Sequence, residues 1–268
     1  MKVILSVSAW RHARTNFPAG RVGFVPTMGA LHEGHATLLR RARGECDVTV
    51  LSIFVNPTQF NDPQDLAKYP RTLERDSAVA LRERVDFLFL PDAPEIYRDG
   101  YRYHVTETAF SRELCGAHRP GHFDGVLSVV LKLFQLIKPD RAYFGEKDYQ
   151  QLELVRGMAA AFFLDVEVVA VPTVREADGL AMSSRNARLS PAQRSQAQSF
   201  PQILRSSPDA AAAAQRLSAA GFGVDYVEDR AGRRFGAVRL GEVRLIDNLR
   251  QARHAGASPD EAMIEMCA

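Results

Sequence analysis

Apolar residues along the chain fall into short continuous runs, and between these runs lie stretches in which apolar residues recur at helical spacing. Such runs predict strands that are buried on both faces of a parallel sheet. The predicted strands are Val22–Val25, Cys46–Val55, Val85–Leu90, Arg141–Phe144 and Val166–Val171. Four helices are predicted. The first begins near His35, the second covers Leu66–Arg84 with an interruption at Tyr69–Thr72, the third covers Val126–Ile137, and the fourth runs from Tyr149 to about Phe163. Because strands and helices alternate, the pattern predicts an α/β fold with right-handed crossovers.

Local signals predict where several of these elements begin and end. Pro26 is expected to end the first strand, because proline cannot donate a hydrogen bond to a strand ladder. Tyr103–Thr108 is expected to form a short edge strand, and Asp124 is placed to cap the helix that begins near Val126.

The composition changes after Pro172, and this change predicts a first domain over residues 1–172 and a smaller domain over residues 173–268. In the second domain, Ser190 and Pro191 have the form of a helix N-cap followed by a first-turn proline. The further elements expected there are a helical run over residues 190–218 with breaks at Pro201 and Pro208, a strand pair formed by Gly223–Glu228 and Val238–Ile246, and a frayed tail from Asn248 onward.

The composition is that of an ordinary globular protein without a strong charge. Of the 268 residues, 46% are apolar, and the formal net charge is +2. These values indicate neither a nucleic-acid surface nor a membrane surface, and no apolar stretch reaches the length of a membrane span. Cys46, Cys115 and Cys267 are odd in number and widely spaced, so we predict no disulfide framework and a reducing compartment. The N-terminal stretch has no clear signal peptide, and we expect the protein in the cytoplasm.

Two histidines lie where the first predicted strand passes into a helix. His32 and His35 flank Gly34 in the stretch VPTMGALHEGH. Free backbone N–H groups and the positive end of the helix dipole favour a phosphate at such a place. A histidine there can donate a hydrogen bond as charge builds on a phosphate oxygen. Two other roles stay open, a polar helix cap and half of a metal site, although no third His or Cys lies nearby at ligand spacing.

Asn56 and Gln59 follow the second predicted strand, in FVNPTQF. Ligands of open α/β sheets bind beyond the carboxyl ends of the strands, so this segment and the histidine turn are expected to face one crevice. Amides that both donate and accept hydrogen bonds suit a small polar ligand better than a bare phosphate. Alternatively, the Asn-Pro pair forms an ordinary turn.

A second passage from strand to helix contains FGEKDYQQ and is expected to meet the same sheet edge. Lys147 is placed there as a point charge for phosphate. Asp148 can cap the helix or contact metal or ribose, and Gln151, one turn in, can reach the crevice. Further on, the hydroxyls and guanidinium of Met182–Arg185 suit a flexible phosphate clamp. Each stretch can also be a solvated turn or an ordinary loop before a helix.

Seven motifs follow one another in fixed order: VPTMGALHEGH, FVNPTQF, YPRTLERD, RPGHFDGV, FGEKDYQQ, DGLAMSSRN and RLIDN. Together, over Val22–Asn248, they closely resemble the pantoate-beta-alanine ligase family. The HxGH motif with its later SSR-containing loop also resembles the wider nucleotidyltransferase superfamily, whose signatures are HIGH and KMSKS.

The resemblance implies a Rossmann-like parallel sheet with flanking helices, plus a smaller α+β C-terminal domain that serves as a lid and in dimer contacts. It implies an enzyme that condenses pantoate with β-alanine through a pantoyl adenylate, with ATP as substrate and AMP and pyrophosphate as products. It also implies Mg2+ as a cofactor and a homodimer, with neither nucleic acid nor membrane as a partner.

Substrate and metal contacts follow from the resemblance and from residue type. Gln59 and Gln151 match the family's pantoate contacts, and the position of Gln59 is also near β-alanine. We add Asn56 to the substrate site because of its amide. Asp76 and Asp148 are candidate supports for Mg2+, whose protein ligands the sequence does not decide.

The candidate catalytic residues can each donate hydrogen bonds or place positive charge near a phosphate. They are His32, His35, Lys147 and Arg185, and the resemblance assigns His35 the role of proton donor. The ATP-binding residues implied by the resemblance are Met28, Gly29, Ala30, Leu31, His32, Glu33, Gly34, His35, Gly145, Glu146, Lys147, Asp148, Val174, Met182, Ser183, Ser184 and Arg185.

Two other classes of function stay open. A nucleotidyltransferase that makes a dinucleotide cofactor would share HxGH but has no reason to share NPxQF and KDYQQ. For a non-catalytic module, the near-neutral charge argues against binding of nucleic acid, and the presence of His35, Lys147 and Arg185 argues against an inactive nucleotide-binding protein. The chain has no G-x-S-x-G elbow and no Cys/His pair at recognisable spacing, so activation is expected to reside on the substrate.

Overall fold

The computed structural model of the protein describes residues 1–17 and 19–251. The chain divides into two compact units, Met1–Val174 and a second that begins at Arg175. Among the described residues, none of the helices combines the length and the apolar composition that a membrane span requires. Cys46 and Cys115 are buried and form no disulfide bond within the described residues, whereas Cys267 lies outside those residues.

A parallel sheet forms the centre of the first unit. In chain order its elements are β1 (Lys2–Ile4), α1 (Val7–Arg14), β2 (Val22–Thr27), α2 (Glu33–Glu45), β3 (Val48–Ile53), α3 (Pro63–Ala67), α4 (Leu73–Arg82), β4 (Phe87–Phe89), α5 (Ala93–Ile96), α6 (His122–Ile137), β5 (Arg141–Gly145), α7 (Tyr149–Ala161) and β6 (Glu167–Val171). Within the described residues, six strands pair in parallel in the order β1-β4-β3-β2-β5-β6. The predicted Rossmann-like sheet with flanking helices is confirmed, and β1 is an edge strand that the pattern did not predict.

The strand order reverses between β2 and β5. From β2 the chain adds β3 and β4 on one side of the sheet, and it later places β5 and β6 on the other. Ligands of open α/β sheets bind beyond the carboxyl ends of the strands at such a switch point. The histidine turn follows β2 and the turn at Lys147 follows β5, so the topology brings both turns to this point.

The core of the first unit includes the face that α2 turns toward the sheet. Ala36, Leu39 and Ala42 recur at three-residue spacing and are fully buried, in one cluster with Leu51 and Tyr143 of the strands. This spacing places them on a single face of the helix. The packing holds the N-terminus of α2, and with it the histidine turn, beside the strand ends.

Strand β2 is longer than predicted, because it continues through Pro26 to Thr27. At Pro26 the strand is paired with Ser52 of β3, whereas its pairing with β5 covers only Gly23 and Phe24. A proline is tolerated where one side of a strand carries no ladder. The expectation that Pro26 ends the strand is therefore wrong.

The segment Tyr103–Thr108 is irregular rather than an edge strand. Two of its N–H groups bond to side chains. The N–H of Tyr103 donates to Asp99 Oδ2 at 2.9 Å, and the N–H of Val105 donates to Ser128 Oγ at 2.8 Å. No residue of the segment pairs with a strand, so the strand prediction is wrong.

Helix α6 begins earlier than predicted, at His122. Its N-cap is Gly121, which has a left-handed backbone with φ 77. Glycine adopts this conformation without strain. Asp124 consequently lies inside the first turn, and the expectation that it caps the helix is wrong.

The second unit is a smaller α+β unit, as predicted. Its elements are α8 (Pro191–Ala197), α9 (Ser199–Ser206), α10 (Ala210–Ala219), β7 (Gly223–Arg230), β8 (Arg233–Leu240) and β9 (Val243–Arg250). In the described part of this unit, the three strands form an antiparallel sheet in the order β7-β8-β9. Phe200, Leu204, Val238 and Leu245 belong to its core.

Three details of this unit differ from the predictions. Val238–Ile246 is not one strand, because Gly241, with φ 57, turns the chain between β8 and β9. Pro201 lies in the first turn of α9 and does not break it, since the N–H groups there lack partners within the helix. Strand β9 continues to Arg250, so Asn248 does not begin a tail.

Candidate active site

The histidine turn begins with a loop in left-handed conformation. Gly29 has φ 82 and Ala30 has φ 50, and the N–H of Gly29 donates to Thr27 Oγ1 at 3.2 Å. A Cβ atom at Gly29 would lie 3.0 Å from Asp76 Oδ2 and from Ile53 Cγ2. Glycine is therefore required here both for its backbone angle and for space.

Backbone donors fix the protonation sites of both histidines. His32 is the N-cap of α2, and its Nδ1 accepts the N–H of Gly34 at 3.1 Å. The Nδ1 of His35 accepts the N–H of His32 at 3.3 Å. Because an accepting Nδ1 carries no proton, each neutral ring carries its proton on Nε2. The two rings, with centroids 4.1 Å apart, thus offer neighbouring Nε2–H donors.

His35 is neutral in these surroundings. Burial, the neighbouring His32 and the positive charge of Lys147 lower the pKa of His35 from 6.5 to about 3. A neutral imidazole can still donate its Nε2–H to an oxygen on which negative charge develops. His35 can therefore stabilise an anion at neutral pH without itself carrying a positive charge.

Lys147 lies in the short 3-10 turn Glu146–Asp148, between β5 and α7. Its side chain is 19% exposed, and its Nζ lies 3.7 Å from Asp148 Oδ2. A partly exposed pair at this distance contributes little to stability. β2 and β5 are neighbouring parallel strands, so the turns that follow them lie at the same edge of the sheet, and the charge of Lys147 contributes to the lowered pKa of His35.

A hydrogen-bonded group at the end of β3 orients Gln59. Asn56 is 1% exposed, and its Nδ2 donates to Gln59 Oε1 at 3.0 Å. The hydroxyl of Tyr97 donates in turn to Asn56 Oδ1 at 2.6 Å. Gln59 Nε2 donates to Met28 Sδ at 3.2 Å. This last contact joins the segment after β3 to the histidine turn after β2.

Arg119 and His122 hold the backbone of Gln59, a role that the sequence alone does not indicate. The carbonyl oxygen of Gln59 accepts from Arg119 Nη2 at 3.0 Å and from His122 Nδ1 at 2.8 Å. A Cβ atom at Gly125 would lie 2.5 Å from the carbonyl oxygen of Thr58, so α6 packs directly on this segment. In the sequence, the three-residue spacing of His122 and Gly125 indicates that both residues lie on one face of α6, and this face supports the segment around Gln59.

Two adjacent glutamines in the first turn of α7 have different surroundings. Gln150 is 5% exposed. Its Oε1 accepts the N–H of Cys115 at 3.0 Å, and its Nε2 donates to the carbonyl oxygen of Phe110 at 2.7 Å. Gln151 is partly buried. Gln150 is thus a structural residue, and Gln151 remains the candidate for ligand contact.

Asp76 does not have the surroundings of a magnesium ligand. It is 1% exposed, its Oδ2 accepts the N–H of Ala30 at 3.0 Å, and its Oδ1 accepts the N–H of Leu31 at 2.7 Å. We therefore interpret the carboxylate of Asp76, a candidate support for Mg2+, as a support of the histidine loop. In the part of the chain that the structure describes, no group of three His, Cys, Asp or Glu side chains is placed to hold a metal ion.

The loop that contains Met182–Arg185 belongs to the second unit. Ser183 Oγ accepts the N–H of Arg185 at 3.2 Å and caps the 3-10 turn Ser184–Arg188. At the start of this loop, Arg175 donates to both carboxylate oxygens of Asp247, at 2.7 and 2.9 Å. Of the expected ATP-binding residues, Met28–His35, Gly145–Asp148 and Val174 lie in the first unit, and Met182–Arg185 lie in the second.

Known sequences match almost the whole chain. The family model described as pantoate-beta-alanine ligase matches residues 2–250. The chain is 59% identical over 241 residues to the pantothenate synthetase of Bdellovibrio bacteriovorus, which covers 90% of this chain and 94% of the relative. It is 50% identical over 249 residues to the pantothenate synthetase of Legionella pneumophila, which covers 92% and 99% of the two chains.

Solved structures share the fold over similar lengths. The crystal structure of pantoate-beta-alanine ligase from Francisella tularensis, complexed with beta-gamma ATP and beta-alanine, has a TM-score of 0.90 and 38% identity, and the match covers 93% of this chain and 97% of that one. The pantothenate synthetase of Thermus thermophilus has a TM-score of 0.86 and 44% identity, with 93% and 99% covered. The chain therefore belongs to the pantoate-beta-alanine ligase family.

Proposed function

We propose that the chain condenses pantoate with β-alanine to give pantothenate, with conversion of ATP to AMP and pyrophosphate. The main support for this proposal is that the histidine turn, the turn at Lys147 and the segment at Gln59 meet at one edge of the sheet. The turn that holds His32 and His35 and the turn that holds Lys147 follow the neighbouring parallel strands β2 and β5, and the oriented amide of Gln59 contacts the histidine turn through Met28. The ligands of the Francisella tularensis relative support ATP and β-alanine as substrates here.

In the proposed first step, a carboxylate oxygen of pantoate attacks the α-phosphorus of ATP. The bond from that phosphorus to the bridging oxygen breaks, and pyrophosphate leaves with the electron pair. His32 and His35 donate their Nε2–H groups to the phosphate oxygens as charge builds, and Lys147 neutralises part of it. The neutral His35 acts here as a hydrogen-bond donor and keeps its proton.

In the proposed second step, the amine of β-alanine attacks the acyl carbon of the adenylate. The amide bond forms, the amine loses a proton to solvent, and AMP leaves with the electrons of the acyl–oxygen bond. Gln59 and Gln151 hold the hydroxyl and carboxylate groups of pantoate in line for both steps. Asn56 acts behind Gln59, because its own amide bonds to Gln59, to Gly125 and to Tyr97.

Membership of the family supports the remaining ATP contacts, the use of magnesium, the oligomeric state and the location. Val174 and Met182–Arg185 keep their assignment as ATP contacts, with Arg185 as a charge for the phosphates. Magnesium enters as part of the nucleotide, because phosphate oxygens and water supply most of its ligands in such sites. The half-exposed Asp148 is the side chain that would contact this magnesium ion. A homodimer and a cytoplasmic location are proposed on the same basis.

An assay of AMP release tests this function. Enzyme, ATP, pantoate and β-alanine should together give AMP and pantothenate in equal amounts, and omission of β-alanine or pantoate should stop continuous release. The rival is a nucleotidyltransferase that joins ATP to a mononucleotide. Pyrophosphate release with a mononucleotide, together with no AMP from pantoate and β-alanine, would contradict the proposal.

A further inference from the structure

Asp76 connects helix α4 to the loop that precedes the two histidines. Its side chain is 1% exposed, and each carboxylate oxygen accepts a different backbone N–H, from Ala30 at 3.0 Å and from Leu31 at 2.7 Å. The two partners lie 46 and 45 residues away in sequence. A buried carboxylate with two charge-assisted hydrogen bonds to consecutive amides is a specific contact, not a solvated surface charge.

The loop needs such a partner because of its backbone angles. Gly29 has φ 82, and Ala30 has φ 50, an angle that residues with a Cβ rarely adopt. In this conformation the N–H groups of Ala30 and Leu31 point toward one anion. The carboxylate of Asp76 is that anion, so it stabilises the loop in the conformation that the following histidines require.

Neighbouring groups are arranged around this carboxylate. The hydroxyl of Thr72 donates to Asp76 Oδ1 at 3.2 Å, although Thr72 is the N-cap of α4 and makes no side-chain capping bond. On the other side, a Cβ atom at Gly29 would lie 3.0 Å from Asp76 Oδ2. The loop therefore approaches the carboxylate as closely as a residue without a side chain allows.

We propose that Asp76 is a positioning residue for the reaction, and that it acts through the backbone of Ala30 and Leu31 on the placement of His32 and His35. This inference rests on the proposed function, because the histidines matter to catalysis only if they contact the nucleotide. Asp76 itself touches neither substrate nor metal in this role.

Asp76→Asn is the direct test. The amide keeps one acceptor oxygen but turns an NH2 group toward the second backbone N–H. Amide hydrogen exchange at Ala30 and Leu31, followed by NMR, should become faster, because a hydrogen bond that protects the loop is lost. The kcat of AMP release should fall about 10- to 100-fold, as for small misplacements of catalytic groups, while the KM for β-alanine stays unchanged.

Asp140→Asn is the matched control. Asp140 Oδ2 accepts the N–H of Val22 at 2.6 Å, at the opposite end of the same strand β2, so its loss removes a similar bond without touching the loop. Equal losses of kcat in both variants would overturn the proposal, since they would indicate a general effect on stability. Unchanged exchange at Ala30 and Leu31 in a folded Asp76→Asn protein would also overturn it.

Thr72→Val covers the case in which Asp76→Asn does not fold, because it removes one donor to Asp76 and keeps the carboxylate. Faster exchange at Ala30 and Leu31 in this variant supports the proposal, and unchanged exchange overturns it. The exchange measurement does not depend on the reaction. If the wild-type chain releases no AMP while the exchange changes as expected, the proposed function fails and the positioning of the loop by Asp76 stands.

Discussion

His35 accepts the backbone N–H of His32 at its Nδ1, at 3.3 Å, and this bond leaves Nε2–H as the only ring donor of the neutral His35. His32 is fixed in the same way by the N–H of Gly34, at 3.1 Å. The backbone of one helix N-terminus thus sets the tautomers of two adjacent rings. Donors that are oriented before the reaction need no reorganisation as charge develops on a phosphate.

His35→Ala should lower kcat far more than it weakens ATP binding, because its donor acts mainly in the transition state. The loss of one such donor typically lowers the rate about 100- to 1,000-fold. Steady-state kinetics and calorimetric titration with ATP separate the two effects. His12→Ala, which removes an exposed histidine from α1, should leave both quantities unchanged. A His35→Ala enzyme with near-normal kcat would remove His35 from the mechanism.

Because the pKa of His35 is lowered in the folded chain, the free energy of unfolding should depend on pH. In the unfolded chain the imidazole binds a proton below its ordinary pKa of 6.5, whereas in the folded chain it stays neutral down to about 3. Between these two pH values the unfolded state binds more protons than the folded state. The contribution of His35 to the free energy of unfolding is therefore fully present above pH 6.5 and is lost as the pH falls toward 3. Urea unfolding from pH 7 to pH 4 should therefore show a smaller loss of stability for His35→Gln than for wild type.

His12→Gln serves as the control for this titration, since it removes an exposed histidine from the same unit. It should leave the pH dependence of unfolding as in wild type. If His35→Gln and wild type lose stability in parallel over the same range, His35 is not held neutral by its surroundings.

Gln59→Ala and Gln151→Ala should each raise the KM for pantoate and spare ATP binding. Their amides are suited to the hydroxyl and carboxylate groups of pantoate, and a lost hydrogen bond to a charged group costs roughly 1.5–3 kcal/mol. That cost corresponds to a rise in KM of about 10- to 100-fold. Gln64→Ala, an exposed position in α3, should change neither value. Weaker ATP binding with unchanged KM for pantoate would show that the two subsites are assigned wrongly.

The sequence predicts the parts of this protein that depend on local pattern. The apolar runs around Val25, Leu51 and Tyr143 predict strands, and the change to helical spacing after His35 predicts α2, so the histidine turn is correctly placed at a strand end. Pro26 misleads, because its effect depends on which side of the strand is paired, and that is decided by β5, far along the chain.

The support of the site depends on contacts between distant residues and is not visible in local pattern. Asp76 has the form of an ordinary first-turn acidic residue of α4, and only the folded chain shows that it binds the amides of Ala30 and Leu31. In the same way, no local pattern indicates that the hydroxyl of Tyr97 orients Asn56. Both contacts join segments about forty residues apart.

Exchange of labelled pyrophosphate into ATP tests the central claim, that the chain activates pantoate as an adenylate before the amine reacts. The first step can run backwards without the second substrate, so enzyme, ATP, Mg2+ and pantoate should support exchange in the absence of β-alanine. Omission of pantoate should abolish the exchange. Lys147→Ala should nearly abolish it, because the charge beside the phosphates is lost, whereas Lys2→Ala in β1 should not. Release of AMP in the full reaction without any pantoate-dependent exchange would contradict a preformed adenylate.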